Sequence, residues 1–348
     1  MKVGVEGNHT VGFETLGIIK TLDLAKQLGL GGVLVKTVLH ISPRLDEVEL
    51  KEAKAHADEL GLYLECGVGR VNPYNTAEAP AVRALGGGDY RRAIELMIRA
   101  ARSIDCTELW AETATSADKD MYKGKFNVDR FRTDVAWSDQ LAATQKFVQS
   151  FAPLLRDLGS RIDLETHEEI TSFEVVRMVE EVGPDVMGIT FDSGNILLRC
   201  EDPVAAARRV APYTHLAHIK EAALFFNEEG LFRQMPAVGK GVINWKSVLS
   251  ILGEYSPDLH LSLEDGKGLG MIPIYDPAWQ ELHPDLSVAE LAEIIRLARM
   301  CETKVVSGEW PDPYQYEAVP FEEQWIDRLK ESSQFLYQIL GSIGLDGR

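Results

Sequence analysis

The fold class that the sequence predicts is α/β: a (β/α)8, or TIM, barrel with long loops on the catalytic face and an extra C-terminal helix. Three observations predict it. Eight short apolar runs alternate with longer segments of helical periodicity, the pattern of a parallel sheet whose crossovers are helices. The first run lacks the GxGxxG turn of a dinucleotide-binding open sheet. Polar residues gather at the C-terminal ends of many runs instead of at one switch point, as in a closed barrel.

In order, the runs are 2–7 (KVGVEG), 32–37 (GVLVKT), 62–67 (LYLECG), 108–113 (ELWAET), 161–167 (RIDLETH), 186–192 (VMGITFD), 215–220 (HLAHIK) and 260–265 (HLSLED). Each has the usual length of a strand. Helical spacing of apolar residues marks 15–28, 45–60, 90–104, 139–158, 171–182, 204–210 and 245–252 as crossovers. Several end where a left-handed cap or a stop is expected, at Gly61, at Gly159 and at Gly183 before Pro184. Two stretches exceed a plain barrel, 114–137 after the fourth run and 266–283 after the eighth, and loops this long are usually functional. The chain divides into a catalytic barrel over 1–308 and a C-terminal extension over 309–348. That extension holds a Pro- and aromatic-rich stretch and a helix over 321–340, and it packs on the barrel or on a partner subunit.

Composition narrows the function. Charged residues make up 26% and hydrophobic residues 45%, the balance of a folded globular protein. With 54 acidic against 36 basic residues, the net charge of −18 repels phosphate backbones and anionic lipid, so no nucleic-acid or membrane partner is expected. Cys66, Cys106, Cys200 and Cys301 lie far apart with no metal spacing and read as free thiols. The N-terminus begins directly with a strand pattern and no run reaches ~20 apolar residues, so a cytoplasmic protein is expected.

The chemistry lies in the fifth to eighth runs, which end in Glu165, Asp192, His218 and Glu264. In a barrel those ends converge on one opening. Singly, each has a plainer reading: Asp192 suits a turn cap before Ser193 and Gly194, His218 a core histidine, and the glutamates structural ion pairs. Jointly they point to one divalent cation, because buried carboxylates without a counter-charge cost several kcal/mol each. Carboxylates with a single imidazole suit Mn2+ best, with Mg2+, Co2+, Fe2+ or Zn2+ as alternatives.

The strand ends LETH, FDSGN, HLAHIKE and LSLED, with GKGVINW before the last, resemble the xylose isomerase-like barrel superfamily over roughly residues 1–300. That superfamily includes sugar isomerases and epimerases, inosose dehydratase, an AP endonuclease type and the larger subunit of C-glycoside deglycosidases. The resemblance implies that Glu165, Asp192, His218 and Glu264 are metal ligands. It further implies abstraction of a proton next to a carbonyl, through a metal-stabilised enediolate.

The individual reaction is less specific. Similar ketose 3-epimerases use their two glutamate ligands as opposed bases and carry a His where this chain has Asn195. His167 lies two residues past Glu165, on the same face by the period of a strand, and an imidazole titrates near neutral pH. It reads equally as acid–base catalyst or as a hydrogen-bond partner of a ligand. Similar barrels that cleave 3-oxo C-glycosides place a His there, so lyase-type cleavage is the preferred reading, with Glu165 and Glu264 as further candidate catalytic residues. Isomerisation or epimerisation is the alternative, and an endonuclease-like phosphodiesterase is disfavoured by the negative charge. Arg233, Lys220, Asn195, Glu112 and Trp110 are candidate substrate contacts; Glu6, Lys36, Glu65 and Arg70 are weaker ones. The expected partners are a small sugar or glycoside and an oligomeric assembly, with a small β-rich second subunit implied by the deglycosidase resemblance alone.

Overall fold

The computed structural model describes residues 1–75, 79–113 and 135–346. Its strands are β1 (Lys2–Glu6), β2 (Gly32–Val35), β3 (Tyr63–Arg70), β4 (Glu108–Glu112), β5 (Arg161–Glu165) and β6 (Met187–Asp192). They continue as β7 (Thr214–Ile219), β8 (Ala223–Asn227), β9 (Gly230–Gln234), β10 (His260–Leu263) and β11 (Leu269–Ile272). Eight of these, in the order β1-β10-β7-β6-β5-β4-β3-β2, close into an all-parallel barrel, and all eight expected runs supply its staves.

The helices are α1 (Phe13–Gln27), α2 (Glu47–Leu60), α3 (Pro80–Leu85), α4 (Tyr90–Arg102), α5 (Trp137–Gln149), α6 (Ala152–Leu158) and α7 (Ser172–Val182). After them come α8 (Pro203–Val210), α9 (Trp245–Tyr255), α10 (Pro277–Glu281), α11 (Val288–Val306), α12 (Pro313–Ala318) and α13 (Trp325–Ile343). The segment expected as one helix over 139–158 is two, because Pro153 has no N–H to continue the ladder of α5 and instead starts α6. Among the described residues no helix is long and apolar enough to cross a membrane.

Apolar faces of strands and helices build one continuous core around the barrel, while inside it Leu34, Trp110 and Leu216 form a separate plug. Beneath the plug, Tyr63 crosses the interior and its hydroxyl meets Ser262 Oγ at 2.9 Å. Gly4 and Gly32 make this room, since a Cβ there would lie 2.1 Å from the Tyr63 hydroxyl and 2.2 Å from its ring.

A second sheet was not foreseen. β8, β9 and β11 form an antiparallel unit over the catalytic face, so 266–283, expected as a loop, contains a strand and the short α10. The β8–β9 hairpin turns between Asn227 and Gly230, and β11 joins it by long-range pairing with β9. The other long segment, 114–137, falls mostly outside the described residues. In the extension, α13 packs on α9, β1 and β10, and Tyr337 accepts a hydrogen bond from Val3 N at 3.2 Å. Arg328 ties α13 to the catalytic face through Asp265, next to Glu264, with Nε–Oδ2 2.8 Å.

Candidate metal centre

Register does the assembling. Asp192, last in β6, pairs with His218 in β7; His218 pairs with Ser262 in β10, two residues before Glu264; and Glu165, last in β5, pairs with Thr190. The four side chains therefore enter the barrel mouth at one level. Each offers a ligand atom lying within 4.8 Å of those of the others, and all four are buried. Asp192 Oδ2, both nitrogens of His218 and Glu264 Oε2 make no hydrogen bond. His218 Nδ1 stands 2.9 Å from Glu264 Oε2 and 3.5 Å from Glu165 Oε2, yet the approaches lack hydrogen-bond alignment. Two carboxylate oxygens without a hydrogen bond and an imidazole whose ring nitrogens also lack one, gathered around one small space, fit a cation of the oxygen- and imidazole-binding kind, since buried polar atoms otherwise find hydrogen-bond partners.

The remaining atoms of these residues are held from behind. Trp110 Nε1 donates to Glu165 Oε2 at 2.8 Å and Asn195 Nδ2 to Glu165 Oε1 at 3.1 Å. The backbone N–H groups of Gly194 and Asn195 both donate to Asp192 Oδ1 at 2.8 Å, so Asp192 does cap its turn while its other oxygen faces the site. Lys220 Nζ lies 3.2 Å from Asp192 Oδ2 and 3.3 Å from Glu264 Oε1, and Lys36 Nζ lies 3.3 Å from the same Glu264 oxygen.

These charges tune one another. Burial alone would raise Glu165, but His218 and then His167 hold it below the usual carboxylate range. Glu264 is likewise held well below against its burial, by Lys220, Lys36, His9 and His218. Burial, with Glu264 and Glu165 adding to it, pushes Asp192 up to about 7. Burial would lower His218, yet Glu165 and Glu264 push it up to about 10, so a proton and a metal would compete for its lone pair.

His167 stands beyond the end of its strand. β5 stops at Glu165, so the strand period does not carry to His167; Glu169 aims the ring by binding its Nδ1 and also accepts from Thr113 Oγ1. Its Nε2 lies 3.9 Å from Glu112 Oε2. Trp110 lies beneath the site, 1% exposed, its ring in the plug and its N–H on Glu165, where it cannot stack on a ring in the mouth. Asn195 commits its amide to Glu165, Lys220 (3.0 Å) and Arg233 (3.0 Å), and Arg233 also holds Glu168 at 3.0 Å. Arg70 lies 3.8 Å from Glu112 at the mouth, whereas Glu65 belongs to the opposite end of the barrel, 2.7 Å from His260. Sequence reasoning missed His9, which follows β1 and stands 2.6 Å from Glu6 and 3.5 Å from Glu264; scanning the residues just past every strand would have found it.

A family model described as xylose isomerase-like TIM barrel matches residues 22–270. The uncharacterized protein YihM of Escherichia coli K12 is 29% identical over 107 residues, 30% of this chain, so the chain spans a third (33%) of the length of that curated relative. Among solved structures, D-psicose 3-epimerase in the presence of D-fructose is similar at TM-score 0.57 and 18% identity, over 88% of this chain and 98% of that one. The 3-keto-D-glucoside 4-epimerase of E. coli is similar at TM-score 0.52 and 16% identity, over 85% and 99%. At these identities the likeness is one of fold.

Proposed function

Since the chain belongs to the xylose isomerase-like TIM barrel family, we propose that it is a divalent-metal-dependent enzyme that removes a proton next to the carbonyl of a keto-sugar or sugar derivative and then expels a leaving group. The concrete form is cleavage of a 3-oxo C-glycoside. Glu165, Asp192, His218 and Glu264 would hold the cation, for which manganese is our choice, and its positive charge would supply electrostatic stabilisation to the carbonyl oxygen.

One observation carries the assignment of roles: both oxygens of Glu165 are taken, by Trp110 and Asn195, and one oxygen of Glu264 faces Lys36 and Lys220. Carboxylates so engaged are weak bases, so the two-glutamate scheme of ketose epimerases does not suit this chain. His167 is the base. Glu169 fixes its Nδ1, which leaves Nε2 to take the proton and stabilises the imidazolium that results. Lys220, Glu112 and Arg233 bind and orient sugar oxygens, while Asn195 and Trp110 act on the substrate through Glu165. Reprotonation of the enediolate, giving an isomerase or epimerase, is the second reading, supported by the epimerase names of the fold neighbours. Assembly into an oligomer, or with a small β-rich subunit, belongs to the same proposal.

Metal analysis of the purified protein comes first, followed by a manganese-dependent assay on a 3-keto C-glucoside and on free ketoses in deuterium oxide. Aglycone release establishes the lyase. Deuterium exchange with an epimeric product and no release gives the second reading, and absence of bound metal after reconstitution overturns both.

A further inference from the structure

We propose that His9 is the second proton-transfer residue of this site, acting across the barrel from His167 on the proton that completes the reaction. The inference rests on the deprotonation chemistry proposed above. β1 and β5 are four strands apart in either direction around the closed barrel, so the residues that follow them face each other across the mouth. His9 ends the tight turn Gly7–His9 after β1, and His167 lies two residues past the end of β5.

The two imidazoles are mounted alike. Glu6, fully buried at the end of β1, accepts from Asn8 N at 2.9 Å and His9 N at 3.0 Å, and its Oε2 stands 2.6 Å from His9 Nδ1. Glu169, also fully buried, binds His167 Nδ1. A carboxylate on one ring nitrogen leaves the other as the exchangeable position, the arrangement of an acid–base histidine. His9 Nδ1 also stands 3.5 Å from Glu264 of the cluster, and His167 lies two residues past Glu165 in the chain. With 37% of its side chain exposed, His9 stands at the open face where a leaving group departs. Lys36 and Lys220, two proton carriers among the described residues nearby, are ion-paired to Glu264 and Asp192.

The step balances without any added oxidant or reductant. His167 takes the proton from the carbon next to the carbonyl; the C–H pair forms the C=C bond of the enediolate, and the carbonyl pair moves onto oxygen. In the second half the oxygen pair re-forms the carbonyl and the C=C pair shifts to the next bond as the bond to the leaving group breaks. His9 gives its proton to the departing atom. In the reprotonation reading, His9 instead gives that proton to carbon from the face opposite His167. Both rings return to their starting states by exchange with water.

The test uses manganese-loaded full-length protein with the 3-keto C-glucoside or ketose on which the unaltered enzyme acts, recording bound metal, deuterium entry at the carbon acid and product. His9→Gln is expected to keep its metal and its exchange within about threefold while product formation falls about 10²–10⁴-fold, and imidazole should restore part of the rate to His9→Ala. His167→Gln is expected to lose exchange and product together. The inference is overturned if His9→Gln forms product at the unaltered rate, or if metal, exchange and product fall in parallel, which would make His9 a support for Glu264. Should the unaltered protein itself show no exchange on any of these substrates, the proposed reaction fails with it; normal turnover that ignores His9 removes this inference alone.

Discussion

Two clusters of the same residue types sit at opposite ends of this barrel, and their difference lies in wiring. At the mouth are Glu165, Asp192, His218 and Glu264; at the floor are Glu108, Asp163 and His215, with ligand atoms equally close together. The floor cluster has supplied its own partners. His215 Nδ1 stands 2.8 Å from Asp163 Oδ1, Arg161 Nε donates to Glu108 Oε2 at 3.0 Å, and Asp163 Oδ2 is a buried atom without a hydrogen bond. Gly188 makes room for the pair, since a Cβ there would come within 2.0 Å of Asp163 Oδ1. At the mouth Asp192 Oδ2, both nitrogens of His218 and Glu264 Oε2 make no hydrogen bond, and among the described residues the lysines Lys36 and Lys220 meet its carboxylates. The same residue types thus form an internally bonded ion cluster at the floor and keep the unbonded donor atoms of a candidate cation site at the mouth.

The largest effect that would test this contrast is on metal content. Glu165→Gln or His218→Ala should cost at least about 100-fold in manganese affinity, above the effect of removing an outer hydrogen bond, while His215→Ala keeps full stoichiometry. Loss of metal from the His215 variant, read by elemental analysis, would erase the distinction. A smaller effect is expected behind the mouth: Trp110→Phe keeps an aromatic ring in the plug but removes the donor to Glu165, and should weaken manganese binding by about 10- to 100-fold in a calorimetric titration. Unchanged affinity would mean that the indole only fills space.

The smallest effect concerns pH and the floor. Burial, countered by the His215 hydrogen bond and helped by Glu108, pushes Asp163 up to about 7, against about 3.9 for an unfolded Asp. The folded state therefore holds a proton that the unfolded chain has lost, and the stability linked to it is present below about pH 4 and is lost as pH rises through about 7. His215, raised despite its burial by Asp163 and Glu108, contributes with the same sign at higher pH. Asp163→Asn should flatten the decline in urea-unfolding stability between about pH 4 and 7. A slope identical to that of the unaltered protein would show that the floor does not titrate there.

How much was legible follows from which residues depend on local pattern. The eight staves and the four cluster residues were readable because apolar runs mark strands and strand ends in a barrel must converge. His9 escaped because it stands past its strand, in a turn that carries no apolar signal. The β8–β9–β11 sheet escaped because its third strand is recruited from a stretch that reads as loop.

By itself, then, the sequence determined the alternation of strand and helix, the barrel it closes into and the residue types that reach the mouth, since all three follow from local periodicity and chain direction. Only the tertiary structure decided which atoms of those residues stay unpaired. It alone set Trp110 behind Glu165, Arg233 on Asn195 and Arg161 beside Glu108, because these hydrogen-bond partners come from whichever element packs alongside, and no spacing along the chain encodes that distance.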